Sequence, residues 1–386
     1  MKGVSFSSEV TTVDRVIYAD NAATTQLDRE AFDAMLPWLQ QEFGNASQRY
    51  SFAKKPKEAL AKARETIASC INANPEEIFF TSGGTESDNW AIKSSALYNN
   101  DHSITITSAF EHHAIIRSCT ELERLGYPVM YLYPSADGYI LPETLNNVIT
   151  EKTRMVSIMF ANNEIGSIQS IKELCSIAHS KKALFHTDAV QAVGHISIDV
   201  KDLDVDMLSA SAHKFNGPKG IGFLYIKKGV QISPYIHGGS QEFNLRAGTE
   251  NIAAIVGMSV ALKHNIQQIH YNQSLLSSLE ERFLNNLRDS GVPFIRNGGQ
   301  NTLPGLISLS FPNKDGEAIF HRMDLNRICI STGAACNSKE TEISHVLQAI
   351  KLDSIYANGT IRISLGKNNS IDDVEKISNA IIKCVR

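Results

Sequence analysis

Between residues 60 and 260, short apolar runs alternate with stretches whose apolar positions recur at helical spacing. The short runs predict strands at Ile78 to Thr81, Ile104 to Thr107, Val129 to Leu132, Met155 to Phe160, Ala183 to His186, Met207 to Ser209 and Gly222 to Ile226. Strands that alternate with helices predict an α/β fold, a sheet covered by helices on both faces. A long amphipathic stretch, Ile252 to Leu287, then reads as helix or helices leaving this unit. The rest mixes strands at Ile307 to Phe311 and Ile361 to Leu365 with helices at Gly316 to Met323 and Asp372 to Val385. That pattern predicts a smaller α+β domain. We expect residues 15–258 to form the large domain, and residues 1–14 and 259–386 the small one. No repeat, low-complexity tract or proline-rich linker separates them, so they should be closely joined.

Composition narrows the function. At 42% hydrophobic and 20% charged residues, the chain has ordinary globular usage and enough apolar material for a large core. A net charge of −4 supplies no basic surface for direct nucleic-acid binding. Lys54, Lys55, Lys57, Lys62 and Arg64 cluster locally, but interleaved with Ala59, Leu60 and Ala63 they read as the wet face of a helix. Cys70, Cys119, Cys175, Cys329, Cys336 and Cys384 form no CxxC pair and no metal-ligand spacing. The first 14 residues are polar, and no stretch has the length of a membrane span. We expect a cytoplasmic protein with reduced thiols and no membrane partner.

Several segments carry candidate chemistry. Lys214 follows the apolar Val205-Asp206-Met207-Leu208 within Ser209-Ala210-Ser211-Ala212-His213-Lys214-Phe215-Asn216-Gly217. A lysine at the end of a buried strand is poorly solvated, which favours the neutral amine that an aldehyde cofactor needs for a Schiff base. Gly83-Gly84-Thr85-Glu86-Ser87 lies between the strand Ile78 to Thr81 and a helical stretch, Asp88 to Leu97. Strand, glycine turn and helix start make an anion site, although a tight turn capped by Thr85 has the same pattern. No Gly-Lys-Ser/Thr follows, so it is not a Walker loop.

Asp188, in His186-Thr187-Asp188-Ala189-Val190-Gln191, ends another apolar strand. A carboxylate there points into the ligand crevice of an α/β sheet, or caps a helix. Gln191 lies three residues further on. His112, in Phe110-Glu111-His112-His113, could stack on a ring and move protons near neutral pH, but two adjacent histidines cannot both face inward on one helix. Asn162 and Asn163 follow the Met155 to Phe160 run, where they could bind a carboxylate or simply form a turn.

Taken together and in this order, the motifs resemble the cysteine desulfurases of the NifS/IscS type, in the class V aminotransferase family of fold-type I pyridoxal-phosphate enzymes. The resemblance runs from Tyr18-Ala19-Asp20-Asn21-Ala22-Ala23-Thr24-Thr25 to Arg362-Ile363-Ser364-Leu365-Gly366. It implies a large domain with a mainly parallel seven-stranded sheet, and pyridoxal 5'-phosphate bound to Lys214. Asp188 would pair with the pyridine nitrogen and Gln191 with the phenolic oxygen. His112 would stack on the ring and relay protons. Gly84, Thr85, Ser211 and His213 would hold the phosphate. Thr249, in Arg246-Ala247-Gly248-Thr249, would reach the phosphate of a second subunit, which implies a homodimer. Asn163 and Arg362 would bind the carboxylate of L-cysteine.

Cys336, in Ser331-Thr332-Gly333-Ala334-Ala335-Cys336-Asn337-Ser338, stands among small and polar residues suited to an exposed loop and a reactive thiolate. Cys329, in Arg327-Ile328-Cys329-Ile330, reads instead as a core thiol. The resemblance places a persulfide on Cys336, with L-alanine as product and a sulfur-acceptor protein as partner. The sulfur's uses in this class include iron–sulfur assembly, tRNA thiolation and DNA phosphorothioation. A selenocysteine lyase, another class V aminotransferase or a non-catalytic scaffold subunit are the alternatives. One stretch departs from the family: Gly-Gly-Gly-Gln-Glu-Arg-Gly is here Gly238-Gly239-Ser240-Gln241-Glu242-Phe243-Asn244.

Overall fold

The apolar runs of the first part pair into one seven-stranded sheet; a computed structural model describes residues 15–98, 102–332 and 343–386. In spatial order its strands are Ile78–Thr81, Gly222–Ile226, Met207–Ser211, Leu184–Asp188, Thr153–Ser157, Ile104–Ser108 and Val129–Leu132. Gly222–Ile226 runs antiparallel to both neighbours, and every other pairing is parallel. Met207–Ser211 and Gly222–Ile226 are buried at every position, as strands covered on both faces must be. The Met155 to Phe160 run stays regular only to Ser157. Beyond it the Ile158 and Phe160 amides still donate to His186 O and Asp188 O, at 3.1 and 2.8 Å, as the backbone turns into the crevice.

Ile252 to Leu287 is two helices, Ile252–Gln267 and Ile269–Asp289, which break at Gln268. Neither glycine nor proline marks the break. The first helix packs Ala254, Ile255, Met258, Ala261 and Leu262 into the large core, so this core extends past residue 258. Val346, Leu347 and Ile350 return to it late in the chain. The second core gathers Ile17 and Ala19 with Phe283, Phe311, Ile361, Ile363 and Ile377. The helix Ile252–Gln267 thus packs with the first core, and the helix Ile269–Asp289 contributes Leu276, Leu279 and Phe283 to the second. The small sheet orders Ser331–Thr332, Thr360–Ser364, Leu306–Ser310 and Ile295–Asn297 antiparallel, while Ile17–Tyr18 pairs with Ile328–Cys329.

Two side chains differ from the sequence reading. Arg64 is not on the wet face of its helix, Lys54–Cys70, but buried. Its Nη1 and Nη2 grip Glu242 Oε2 and Oε1 at 2.8 and 2.6 Å, and its guanidinium lies over the Phe80 and Phe243 rings. Glu242, Phe243 and Asn244 are consecutive left-handed residues with φ of 43°, 56° and 66°. The Arg64 fork ties down this strained turn. Cys329 is half-buried rather than a core thiol, because its strand Ile328–Cys329 pairs only with the short strand Ile17–Tyr18. Among the described residues, no helix is long and apolar enough to cross a membrane.

Candidate active site

The parallel strands deliver their C-terminal ends to one cavity of about 620 Å³, where an open α/β sheet binds ligands. Asp188 ends Leu184–Asp188, Ser211 ends Met207–Ser211, and Lys214 follows one short turn later. Gly83 and Gly84 connect the strand Ile78–Thr81 to the helix Gly84–Leu97. Gly83 has φ of 149°, and a Cβ on Gly84 would meet Val190 Cγ2 at 2.6 Å. This close approach leaves the first-turn amides and Thr85 facing the cavity, a cradle for an anion. Ser211 and His213 line the same end. His213 Nδ1 lies 3.1 Å from Thr24 Oγ1, and burial pushes the ring down to about 4, so it is neutral.

Lys214 Nζ donates to the carbonyls of Ala22 and Ala23. Burial first, then the Arg362 charge, push its ammonium down to about 8, against the opposing pull of Asp188 and Asp20. Asp188 Oδ1 accepts the Val190 N–H at 2.9 Å. Burial raises its pKa, while His112, that N–H and Lys214 draw it back. Gln191 lines the cavity with its amide donating to Ala22 O at 2.9 Å.

His112 and His113 resolve the adjacent-histidine conflict at a helix start. His112 is the N-cap of His113–Arg124, its Nδ1 accepting the Ala114 N–H at 3.1 Å. The neutral ring therefore carries its proton on Nε2. Its pKa is lowered chiefly by burial, with Asp188 opposing. His113 instead packs against His345, with ring centroids 4.7 Å apart and the rings tilted by 36°.

Arg362, on the strand Thr360–Ser364, also lines the cavity and holds Asp20 Oδ1 at 2.8 Å, Ser331 Oγ at 3.0 Å and Asn163 O at 2.9 Å. Its Nε is buried with no hydrogen-bond partner. Asn163 also lines the cavity. Asn162 instead makes the turn, its Oδ1 accepting the Glu164 and Ile165 amides at 2.8 and 3.0 Å.

Of the residues singled out in the sequence, Gly84, Thr85, His112, Asn163, Asp188, Gln191, Ser211, His213, Lys214 and Arg362 all line this cavity. Thr249 does not; it is exposed, beside Arg246, which pairs with Glu86 at 2.8 Å. Cys336 lies outside the described residues. The sequence reading missed Asp88, which is fully buried and lines the cavity. Its signal was available, since Asp88 is one helical turn past Gly84 and so shares its face.

The cavity offers an anion cradle, a depressed lysine and a carboxylate at a strand end, which together define the site of a fold-type I pyridoxal-phosphate enzyme. A family model for class V aminotransferases matches residues 17–377. Over 378 residues the chain is 43% identical to the cysteine desulfurase IscS of Methanosarcina thermophila, covering 98% of this chain and 94% of that one. It is 45% identical to the cysteine desulfurase IscS of Dictyoglomus turgidum, over 93% of this chain and 92% of that one. Among solved structures, a NifS-like protein superposes with a TM-score of 0.90 at 35% identity, covering 96% of this chain and 99% of that one. SspA in complex with cysteine gives 0.81 at 36% identity, over 92% and 100% of the two chains. The chain belongs to the class V aminotransferase family. Its cofactor is pyridoxal 5'-phosphate, which the anion cradle, Asp188 and Lys214 fit in charge and spacing.

Proposed function

We propose that the protein is a cysteine desulfurase that converts L-cysteine to L-alanine and moves the sulfur onto Cys336. The observation that carries this reading is the single cavity lined by both a depressed Lys214 and the incompletely paired Arg362, whose charge reaches that lysine. Gly84, Thr85, Ser211 and His213 would hold the cofactor's phosphate, Asp188 its ring nitrogen and Gln191 its phenolic oxygen. His112 would stack on the ring. Bound there, the cofactor supplies an electron sink for the charge left when a proton leaves the substrate Cα.

Arg362 and Asn163 bind the substrate carboxylate, which gives the buried Nε of Arg362 its missing acceptor. Lys214 Nζ takes the Cα proton, a role suited to an amine held near pH 8. His112 Nε2 carries a second proton at the cavity wall. Cys336 thiolate attacks the substrate sulfur. The carbon–sulfur bond breaks, a sulfur–sulfur bond forms, and L-cysteine plus thiol becomes L-alanine plus persulfide. A similarity to SspA in complex with cysteine supports this choice of substrate.

The enzyme works as a homodimer in the cytoplasm, with Thr249 completing the neighbouring subunit's phosphate site. The persulfide passes to an acceptor protein that feeds iron–sulfur assembly, tRNA thiolation or DNA phosphorothioation. The test is mass spectrometry after incubation with L-cysteine, alongside an alanine assay. A gain of one sulfur on Cys336 with stoichiometric alanine supports the reading. Free sulfide without modification of Cys336 refutes it.

A further inference from the structure

In the wall of the cavity lies a buried acidic pair that the proposed chemistry does not use in full. Asp88, on the helix Gly84–Leu97, and Asp188 are both buried, and each brings a carboxylate oxygen within 4.8 Å of the other and of a His112 ring nitrogen. Two carboxylates this close, out of water, do not both ionise. The surroundings decide which one keeps the proton. Asp188 accepts a backbone N–H at 2.9 Å and faces Lys214 and His112. Asp88 has only the Ser209 hydroxyl to stabilise a charge, and its Oδ1 is buried without a hydrogen-bond partner.

Two imidazoles flank Asp88: His112, whose pKa burial lowers, and His186, whose Nε2 is 3.8 Å from Asp88 Oδ1. The His186 ring is held between Ser157 Oγ at 2.8 Å and Ser209 Oγ at 2.9 Å. Burial pushes it down to about 3, so it brings no positive charge. Glu111, ahead of the helix His113–Arg124, is pushed up by burial to about 8 and adds to the acidic surroundings when it ionises. Burial and the Asp188 charge both push Asp88 well above the usual carboxylate range.

We propose that Asp88 is a positioning residue, a neutral carboxylic acid whose proton faces Asp188 and keeps the negative charge on Asp188. The inference rests on the reading of Asp188 as the partner of the cofactor's ring nitrogen. A neutral neighbour that donates lets Asp188 stay an anion without solvent, and an anionic Asp188 is what holds a ring nitrogen protonated. The Ser157–His186–Ser209 chain closes the space behind it without adding charge.

The test compares Asp88→Asn and Asp88→Ala with the wild type. Asparagine keeps a donor and removes the titratable proton; alanine removes both. Infrared difference spectra of wild type against Asp88→Asn should contain a protonated-carboxyl stretch in the wild type, with or without cofactor. In the holoenzyme, Asp88→Asn should leave unchanged the pH midpoint of the visible cofactor band. Asp88→Ala should weaken cofactor binding about tenfold or more, an effect that asparagine rescues. Three results overturn the proposal: no carboxyl stretch lost in Asp88→Asn, a midpoint moved by about one unit or more by that change, or a divalent cation bound at the pair. A wild type that binds no cofactor refutes the proposed function instead, while the infrared comparison on the cofactor-free protein still decides the state of Asp88.

Discussion

Arg362 Nη2 lies 2.8 Å from Asp20 Oδ1, while Arg362 Nε is buried with no acceptor. The ion pair fixes the plane of the guanidinium, and Ser331 Oγ and Asn163 O complete the hold from two other elements. The unpaired Nε edge is the one proposed to meet the substrate carboxylate. A planar fork held in this way presents its donors in a fixed geometry that a flexible ammonium cannot copy.

Arg362→Lys is therefore expected to raise KM for L-cysteine about tenfold or more while changing kcat less. Steady-state kinetics decide it. Equal KM in the two proteins would remove Arg362 from carboxylate binding.

The depressed lysine gives a pH dependence with a definite sign. Below about pH 8 the Lys214 amine is mostly protonated, and only the neutral form attacks an aldehyde. Attachment of the cofactor to the apoprotein should therefore speed up as pH rises toward 8 and level off above it. Borohydride reduction followed by peptide mapping should then find the cofactor mass on Lys214. A rate that keeps rising to pH 10, or a label on Lys219, would contradict the assignment.

Cys336→Ser is expected to abolish alanine formation and persulfide while leaving cofactor binding intact, because the thiol acts after the substrate has engaged the cofactor. Cys329→Ser should keep activity. The Cys329 thiol is half-buried, so its replacement is expected to cost less than about 1 kcal/mol. Denaturant melts and an alanine assay on both variants check the contrast.

Arg64 makes a stability prediction at the left-handed turn 242–244. Arg64→Ala leaves Glu242 buried without its partner and frees the left-handed turn 242–244. The loss is expected to be about 3–5 kcal/mol. Since Glu242 also accepts the Phe80 N–H at 2.9 Å, the strand leading to Gly83 and Gly84 should loosen, and cofactor affinity should fall with stability. Thermal melts of the apo and holo forms measure both. Unchanged melting would mean that the turn holds itself.

The strands at Ile78–Thr81, Val129–Leu132 and Gly222–Ile226 were legible to the residue, because polar residues, prolines or glycines stand at or close to their ends. Arg64 was not legible. Its partner is 178 residues away, and helical spacing alone makes it one more surface cation. The break at Gln268 carries no glycine or proline, so nothing local separates two helices from one. Lys214 and Asp188 could be read as strand-end residues on physical grounds. Their convergence with Arg362 came from the family resemblance, since residues so far apart share no local pattern. Asp88 shows the remaining gap: its position on the Gly84 face was readable, but its pairing with Asp188 depends on how two strands and a helix pack.

The exposed position of Thr249 bears on the dimer. It lies outside the cavity of its own chain, on a segment anchored by the pairing of Arg246 with Glu86 at 2.8 Å. Glu86 in turn accepts the Ser82 N–H at 2.7 Å, so the segment is tied to one subunit's anion cradle. If Thr249 serves the neighbouring subunit's phosphate, active sites are composite. A Lys214→Ala subunit paired with a Thr249→Ala subunit then gathers both lesions into one site and leaves the other whole. Mixed dimers of the two variants, purified with distinct tags, are expected to recover up to about half of the wild-type activity and one tight cofactor site per dimer. Each parent alone should have little activity or weakened cofactor binding. If the mixed dimer performs no better than the average of its parents, Thr249 acts within its own subunit or not at all.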